Sequence, residues 1–390
     1  MKKRSLSIAI LCDPIGFQVG GSFRSTLRFA KFLLKKNHKI IFLAARNPSR
    51  PDIDFYEKIK VYRFFSILLP NTEKQFYIAL PTKEKIKNIF VKEKIDILHI
   101  MLPTPAAIPA IKAAKDLNVK IVAHSHTQPE NMLLTLPKLL RIMRLDKLFY
   151  KYMIWIYKKA DVVICPSNFA EKLLKSHNKD LRTTIISNGV DILKFKKINP
   201  KSFLEKYNMD KARKRILFVG RLHPEKSVNT LIEAMPFILK HVKDAHLDIA
   251  GIGYLQESLE NLTKNLNIKD NVTFFGKFSD KDLVLVYNSC CIFALPSIAE
   301  LEGMVVLEAM ACHKPVLIAN SENSASVQFV DGNGALFRPQ DPEDLAKKAV
   351  KLLLDKKLRE RMSKRSYEIA KKYDINKSAA KLEKIYMNLI

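Results

Sequence analysis

Short apolar runs of strand length alternate with longer amphipathic stretches from one end of the chain to the other, the signature of repeated strand-helix-strand units with parallel sheets. In the first half the runs fall at 6–11, 39–44, 95–100, 120–123, 162–165 and 183–186. Between them a 3.6-residue period predicts helices, for example over 23–35 and 106–117. The alternation restarts at 216–219, 246–250, 272–275, 291–295 and 315–319. Two doubly wound, Rossmann-like α/β domains are therefore expected. The stretch 191–215 is polar, charged and carries Pro200, so the link between domains belongs there or just before it. We place the first domain at 1–195, the second at 196–370 and a terminal helix at 371–390 that packs back on the first. No short-period repeat or low-complexity tract interrupts this plan.

Composition narrows the class without changing that picture. With 390 residues, 47% hydrophobic and 9% aromatic, the chain is globular, which excludes disordered and fibrous readings. Its five cysteines, Cys12, Cys165, Cys290, Cys291 and Cys312, lie in or beside apolar runs without metal-ligand spacing, pointing to a reducing cytosol. A secretory signal is rejected because Asp13 and Pro14 follow the apolar run at 6–12 with no small-residue cleavage site. Lys151 interrupts the best membrane-span candidate, at 149–157, so the protein is expected to be cytoplasmic, soluble or peripheral. The formal net charge of +28 calls for an anionic partner: nucleic acid, anionic lipid or a phosphorylated substrate. Lysine spread over every exposed helix would give the same total.

The chain has only eleven glycines, and they are not scattered. Gly16, Gly20 and Gly21 follow the first strand; Gly220, Gly251 and Gly276 each follow a second-half strand; Gly303 opens a helix. In open parallel sheets ligands bind beyond the carboxyl ends of strands, where glycine lets backbone amides approach phosphate. The glycines thus outline a cleft facing both domains. Behind one of them, Phe218-Val219-Gly220-Arg221-Leu222-His223-Pro224-Glu225-Lys226 places a planar fork and a point charge ahead of a helix, which suits a diphosphate. An ordinary solvated turn is the competing reading. A second segment, 296–311, carries Glu300 in a loop and Glu308 on an otherwise apolar helix. A carboxylate amid Val306, Leu307, Ala309 and Met310 is costly unless paired or bound to ligand hydroxyls. Glu308 therefore suits the cis-diol of a ribose or an internal salt bridge. Glu300, level with the amides of Met304 and Val305, suits sugar hydroxyls or a helix cap.

Together these segments resemble the retaining glycosyltransferases of the GT-B fold, specifically glycosyltransferase family four. Arg221, Lys226, Glu300 and Glu308 match its Gly-Arg-Lys loop and its pair of glutamates with seven residues between them. The resemblance spans nearly the whole chain, including Gly20-Gly21, Asn188-Gly189-Val190-Asp191 and 247–253. It implies an acceptor-binding first domain and a second domain that binds a nucleotide sugar. It also implies that Arg221 and Lys226 neutralise the departing nucleoside diphosphate, Glu308 holds ribose, Glu300 contacts the donor sugar, and the backbone of Lys277 and Phe278 meets the base. By the same resemblance His126 stands near the donor sugar and Gln128, Glu130 and Asn131 border the acceptor. His313 stands where the family often has glycine, so a local loop difference without loss of activity is expected. Two cations plus helix amides can stabilise the leaving group, so no metal or cofactor is expected.

Three further features of the sequence bear on its chemistry. Asp52-Ile53-Asp54 spells the metal-binding pattern of the other glycosyltransferase fold, but with no strand before it we read it as a loop. His124 and His126 share a face by alternation, yet lack the further ligands a zinc site needs; His99 either lines the same cleft or caps its strand. Finally, 137–159 reads as one helix with Arg141, Arg144, Lys147, Lys151, Lys158 and Lys159 on one side, and Trp155 among apolar residues. That suits an anionic membrane surface or, equally, a core helix with a solvated basic face. With the net charge it favours a lipid acceptor such as diacylglycerol or phosphatidylinositol at the cytoplasmic leaflet. A soluble transferase building polysaccharide or modifying a small molecule is the competing enzyme. Nucleic-acid binding is disfavoured by the lack of a recognised motif.

Overall fold

A computed structural model describes residues 4–16, 20–46, 50–69, 76–129 and 145–390. The chain forms two compact units, 1–188 with 375–390 and 189–374. The junction falls between Asn188 and Gly189, ahead of the expected 195/196, and the chain returns to the first unit after Asp374 instead of after residue 370.

In the first unit the strands are β1 (Ser7–Leu11), β2 (Lys39–Ala45), β3 (Ile53–Tyr56), β4 (Ile59–Phe64), β5 (Ser66–Leu68), β6 (Tyr77–Ala79), β7 (Ile97–Ile100), β8 (Lys120–His124), β9 (Val162–Cys165) and β10 (Thr183–Ile185). Eight of them form one sheet in the order β10-β9-β8-β7-β1-β2-β4-β3, while β5 and β6 make a separate antiparallel pair. Every pairing in the large sheet is parallel except β3 with β4. That exception corrects the reading of Asp52-Ile53-Asp54 as loop: Ile53 and Asp54 belong to an edge strand. The hairpin carries no turn signal in the sequence, because its two-residue turn, Glu57-Lys58, adopts φ of 49° and 69° without the Asn or Gly that such turns favour. Its carboxylates are occupied by arginine, Asp52 with Arg46 and Asp54 with Arg50 and Arg63.

The helix Ile375–Leu389 completes this unit. Ile375, Ala379, Leu382 and Tyr386 are buried in the same cluster as Ile8, Ile10, Phe29 and Val122. A polar clasp reinforces the contact. The amide of Leu6 donates to His38 Nδ1 (3.1 Å), which leaves the hydrogen on Nε2, and Nε2 faces Glu383 Oε1 at 3.4 Å.

The second unit contains β11 (Lys214–Val219), β12 (Ala245–Ala250), β13 (Val272–Gly276), β14 (Ile292–Leu295), β15 (Val316–Ala319) and β16 (Gly334–Phe337), all parallel, in the order β13-β12-β11-β14-β15-β16. Strand order reverses between β11 and β14, making their carboxyl ends the switch point where such sheets bind ligands. Within β11 and β12, Arg215 Nη1 donates to both carboxylate oxygens of the buried Asp248 (2.9 and 3.2 Å), and burial pushes that carboxyl up to about 7.

Candidate functional site

The switch point is built by the loops that follow β11 and β14. Leaving β11, the chain runs alongside the segment after β12: Gly220 N donates to Ala250 O and Leu222 N to Ile252 O, both at 3.0 Å. The two backbones lie so close that a Cβ on Gly251 would stand 1.7 Å from Gly220 O. Glycine is required there for contact, and this close packing turns the next residues outward. Arg221 is half-exposed, and its Nη2 donates to Glu225 Oε1 at 2.9 Å. Glu225 is buried, and its Oε2 has no hydrogen-bond partner among the described residues. Its carbonyl accepts from Ile298 N (2.9 Å), stitching this loop to the one after β14. Burial, followed by the charge of Arg221, lowers the intervening His223 to about 4, so that ring is neutral.

Lys226 closes the second link between the loops: its Nζ donates to Glu300 Oε1 at 2.6 Å, with both side chains largely buried. Glu300 is itself held from behind, its N–H donating to Asn323 O and its carbonyl accepting from Ala325 N. It is not a helix cap. That position belongs to Gly303, at φ +91°, where a Cβ would meet Ser326 Oγ at 2.2 Å. The helix Met304–Ala311 then begins, and its first amides, those of Met304 and Val305 included, have no carbonyl within the helix to bond. Such a terminus favours an anion. On the inner side of this helix Glu308 is buried and accepts from Tyr287 Oη at 2.8 Å. That phenol hydrogen bond offsets part of the cost of burying the carboxylate. Beyond β13, Lys277 is exposed, whereas the ring of Phe278 packs against Phe203, Tyr207 and Phe275. Only the backbone of Phe278 is left for a ligand.

Two contacts in this unit go beyond the residues expected from sequence. Glu225 orients Arg221, a role that the four-residue spacing of the pair could have suggested. Tyr287 holds Glu308 from another helix, for which nothing in the sequence offers a signal. His313, anticipated as a departure, sits at φ 59° with its ring stacked on Tyr367 at 4.3 Å. That left-handed backbone accounts for a glycine preference at such a position.

In the first unit Gly20, at φ +81°, and Gly21 open the helix Gly20–Lys35 at the carboxyl end of β1. Asp13, just after β1, is fully buried and accepts from Ala79 N (2.8 Å) and Thr104 Oγ1 (2.6 Å); burial raises it to about 6. His124 and His126 do not converge as metal ligands would. Their rings stack at 4.1 Å between centroids, and His124 lies parallel to His99 at 5.6 Å. His99 is buried beneath them and bonds Tyr386 Oη through Nδ1, so it neither caps its strand nor lines an opening. His99 Nε2, both ring nitrogens of His124 and His126 Nε2 are buried without a hydrogen-bond partner among the described residues. Each such atom costs about 1–3 kcal/mol. Burial lowers His99 and His126 to about 3 and holds His124 well below its ordinary value, so all three rings are neutral. Gln128 is buried, while Glu130, Asn131, Arg141 and Arg144 lie outside the described residues.

The expected helix over 137–159 is described as Leu145–Tyr157. Lys147, Leu148, Lys151 and Trp155 are exposed on one side of it, opposite Tyr150, Met153, Ile156 and Tyr157 in the core. Among the described residues no helix is long and apolar enough to cross a membrane.

Two family models match the chain, Glycosyltransferase Family 4 over residues 19–193 and Glycosyl transferases group 1 over 201–369. N-acetyl-alpha-D-glucosaminyl L-malate synthase of Bacillus anthracis is 28% identical over 99% of this chain and 97% of its own length. Alpha-monoglucosyldiacylglycerol synthase of Streptococcus pneumoniae is 25% identical over 80% of this chain and 70% of its own. Among solved structures, sucrose-phosphate synthase from Thermosynechococcus elongatus superposes with a TM-score of 0.84 at 20% identity, covering 98% of this chain and 99% of that one. Anabaena HepE in complex with UDP-glucose gives 0.78 at 17%, covering 98% and 100%. The fold is GT-B. The chain belongs to glycosyltransferase family 4 and is a glycosyltransferase.

Proposed function

We propose that this enzyme moves a hexose, with retention of anomeric configuration and without a metal, from a uridine- or guanosine-diphosphate sugar to a membrane lipid such as diacylglycerol or phosphatidylinositol. The observation that carries the donor half is the 2.6 Å contact of Lys226 with Glu300 across the switch point. It holds a cation for the departing diphosphate beside a carboxylate for sugar hydroxyls. Arg221, steadied by Glu225, and the amides at Met304 and Val305 add positive potential where the leaving group develops charge. Glu308 takes the ribose, the backbone at Lys277 and Phe278 takes the base, and His126 serves the donor sugar. No protein nucleophile is assigned: the departing phosphate assists removal of the acceptor proton. The UDP-glucose held by the Anabaena neighbour supports the donor class.

The lipid half rests on the exposed Lys147, Lys151 and Trp155 side of the helix Leu145–Tyr157, on the net charge of +28 and on the diacylglycerol-named relative. It places the enzyme in the cytoplasm, peripheral on the inner face of the membrane. A soluble acceptor is the second reading, favoured by the malate-named relative's match along almost the whole chain. Radiolabelled UDP- and GDP-sugars offered with extracted lipid test the pair of claims. Label entering the organic phase supports both. Flotation without binding to anionic vesicles at physiological salt removes the lipid acceptor and leaves the soluble one.

A further inference from the structure

The column of imidazoles in the first unit has one end at His126 and the other at the helix Ile375–Leu389. Its geometry follows from strand register. His99 pairs with Val122 across β7 and β8, and residues 122, 124 and 126 alternate to the same side, so the three rings share one face of the sheet. Ser125 N bonds Ile164 O, which extends the pairing of β8 with β9 far enough to keep His126 in this row. Phe29 and Tyr386 close the column from the helices above, at 5.9 Å from His124 and 5.8 Å from His99.

We propose that Tyr386 and His99 are positioning residues, which set the ring plane of His126 through the stacked ring of His124. The inference rests on the reading that His126 serves the donor sugar. No hydrogen bond to a described residue holds either ring nitrogen of His124, or Nε2 of His126, so stacking fixes their planes. The hydrogen bond that anchors the column is at its far end, between Tyr386 Oη and His99 Nδ1. One turn earlier the His38–Glu383 clasp fixes the same helix, so the anchor is rigid. A phenylalanine would fill the place of His124 without burying two polar atoms. An imidazole there lets the rings meet as like, neutral, polarisable planes, and a proton added to one would face the next across the stack.

The test uses the full-length protein labelled with ring nitrogen-15 histidine, with signals assigned through H99Q, H124Q and H126Q. Y386F removes one hydroxyl and keeps the packing ring. It should move the signals of His99 and also those of His126. With whichever UDP- or GDP-sugar the enzyme hydrolyses, its kcat should fall about tenfold with KM within twofold, and in the H126A background Y386F should have no further effect. A spectral change confined to His99, or an equal loss of kcat in the H126A background, overturns the proposal. Should H126A itself leave kcat unchanged, the reading of His126 falls and this inference with it; if H126A is impaired while Y386F is not, only the inference falls. H99Q, with Tyr386 intact, tests the same link if Y386F does not fold.

Discussion

Replacing Lys226 by alanine separates a ligand-binding cation from a structural ion pair. The Nζ–Oε1 distance is 2.6 Å and the side chains are only 14% and 12% exposed, so the pair is little screened by solvent. Attraction at such a partly buried contact is about 4 kcal/mol or more, and desolvation cancels much of it. A net contribution of about 1–3 kcal/mol remains, characteristic of a charge-assisted hydrogen bond. The K226A variant leaves the Glu300 carboxylate without its cation and should melt a few degrees lower. Its catalytic loss should be much larger, about 100- to 1000-fold in kcat, the usual consequence of removing one donor from a developing oxyanion. The double variant K226M/E300Q distinguishes the two effects: with neither charge left uncompensated it should regain most of the lost melting temperature and none of the activity. Melting followed by fluorescence, UDP affinity by calorimetry and turnover of the accepted sugar nucleotide provide the three readouts. If K226A melts early yet binds UDP normally and turns over within threefold of wild type, the pair only supports the fold and the donor assignment is wrong.

Glu308→Gln should preserve the Tyr287 hydrogen bond and the melting temperature while abolishing transfer; Glu308→Ala should also lose about 1–3 kcal/mol, because the buried phenol loses its hydrogen bond to the carboxylate. Equal activity of the glutamine variant and wild type would dismiss the ribose role. Acid should destabilise the first unit through its histidines. Their folded values, about 3 for His99 and His126, lie below the unfolded 6.5, so the unfolded chain takes up protons first and stability is lost as pH falls from 6.5 toward 3, by up to about 1.4 kcal/mol per unit for each ring. Asp13, raised to about 6, opposes this in part, because its folded carboxyl holds a proton that the unfolded one has released. Urea titrations at pH 7 and pH 5 should therefore show H124F losing about 2 kcal/mol less than wild type; an identical loss would contradict the buried neutral column. Transfer should also persist in excess EDTA, since Arg221, Lys226 and the amides of Met304 and Val305 provide the positive potential. Collapse restored by a divalent cation would show that protein groups alone do not suffice.

Parallel strands buried on both faces, such as β1, β11 and β14, are nearly continuous apolar runs and were legible as such. The β3–β4 hairpin was not, because its turn takes left-handed geometry at Glu57 and Lys58, residues chosen for reasons other than turn preference. β16 was hidden by its composition, Gly334-Ala335-Leu336-Phe337, half of it small. Arg221, Lys226, Glu300 and Glu308 could be named from local pattern, but the Lys226–Glu300 contact exists only because β11 lies beside β14 in the sheet. The opposite held for the histidines. Alternation placed His124 and His126 together, whereas the place of His99 under them depends on the β7–β8 register and on an aromatic residue far downstream.

The first unit takes its last structural segment from beyond the second, and this orders events during synthesis. Domains generally fold as units, from the amino terminus, while the ribosome elongates the chain. Here residues 1–188 emerge first but wait for Ala379, Leu382 and Tyr386, leaving the face around Ile8, Ile10 and Phe29 uncovered throughout translation of 189–374. A nascent chain stalled within the second unit should therefore present an apolar surface to chaperones, and a stop codon shortly before Ile375 should be felt in the half of the molecule made earliest.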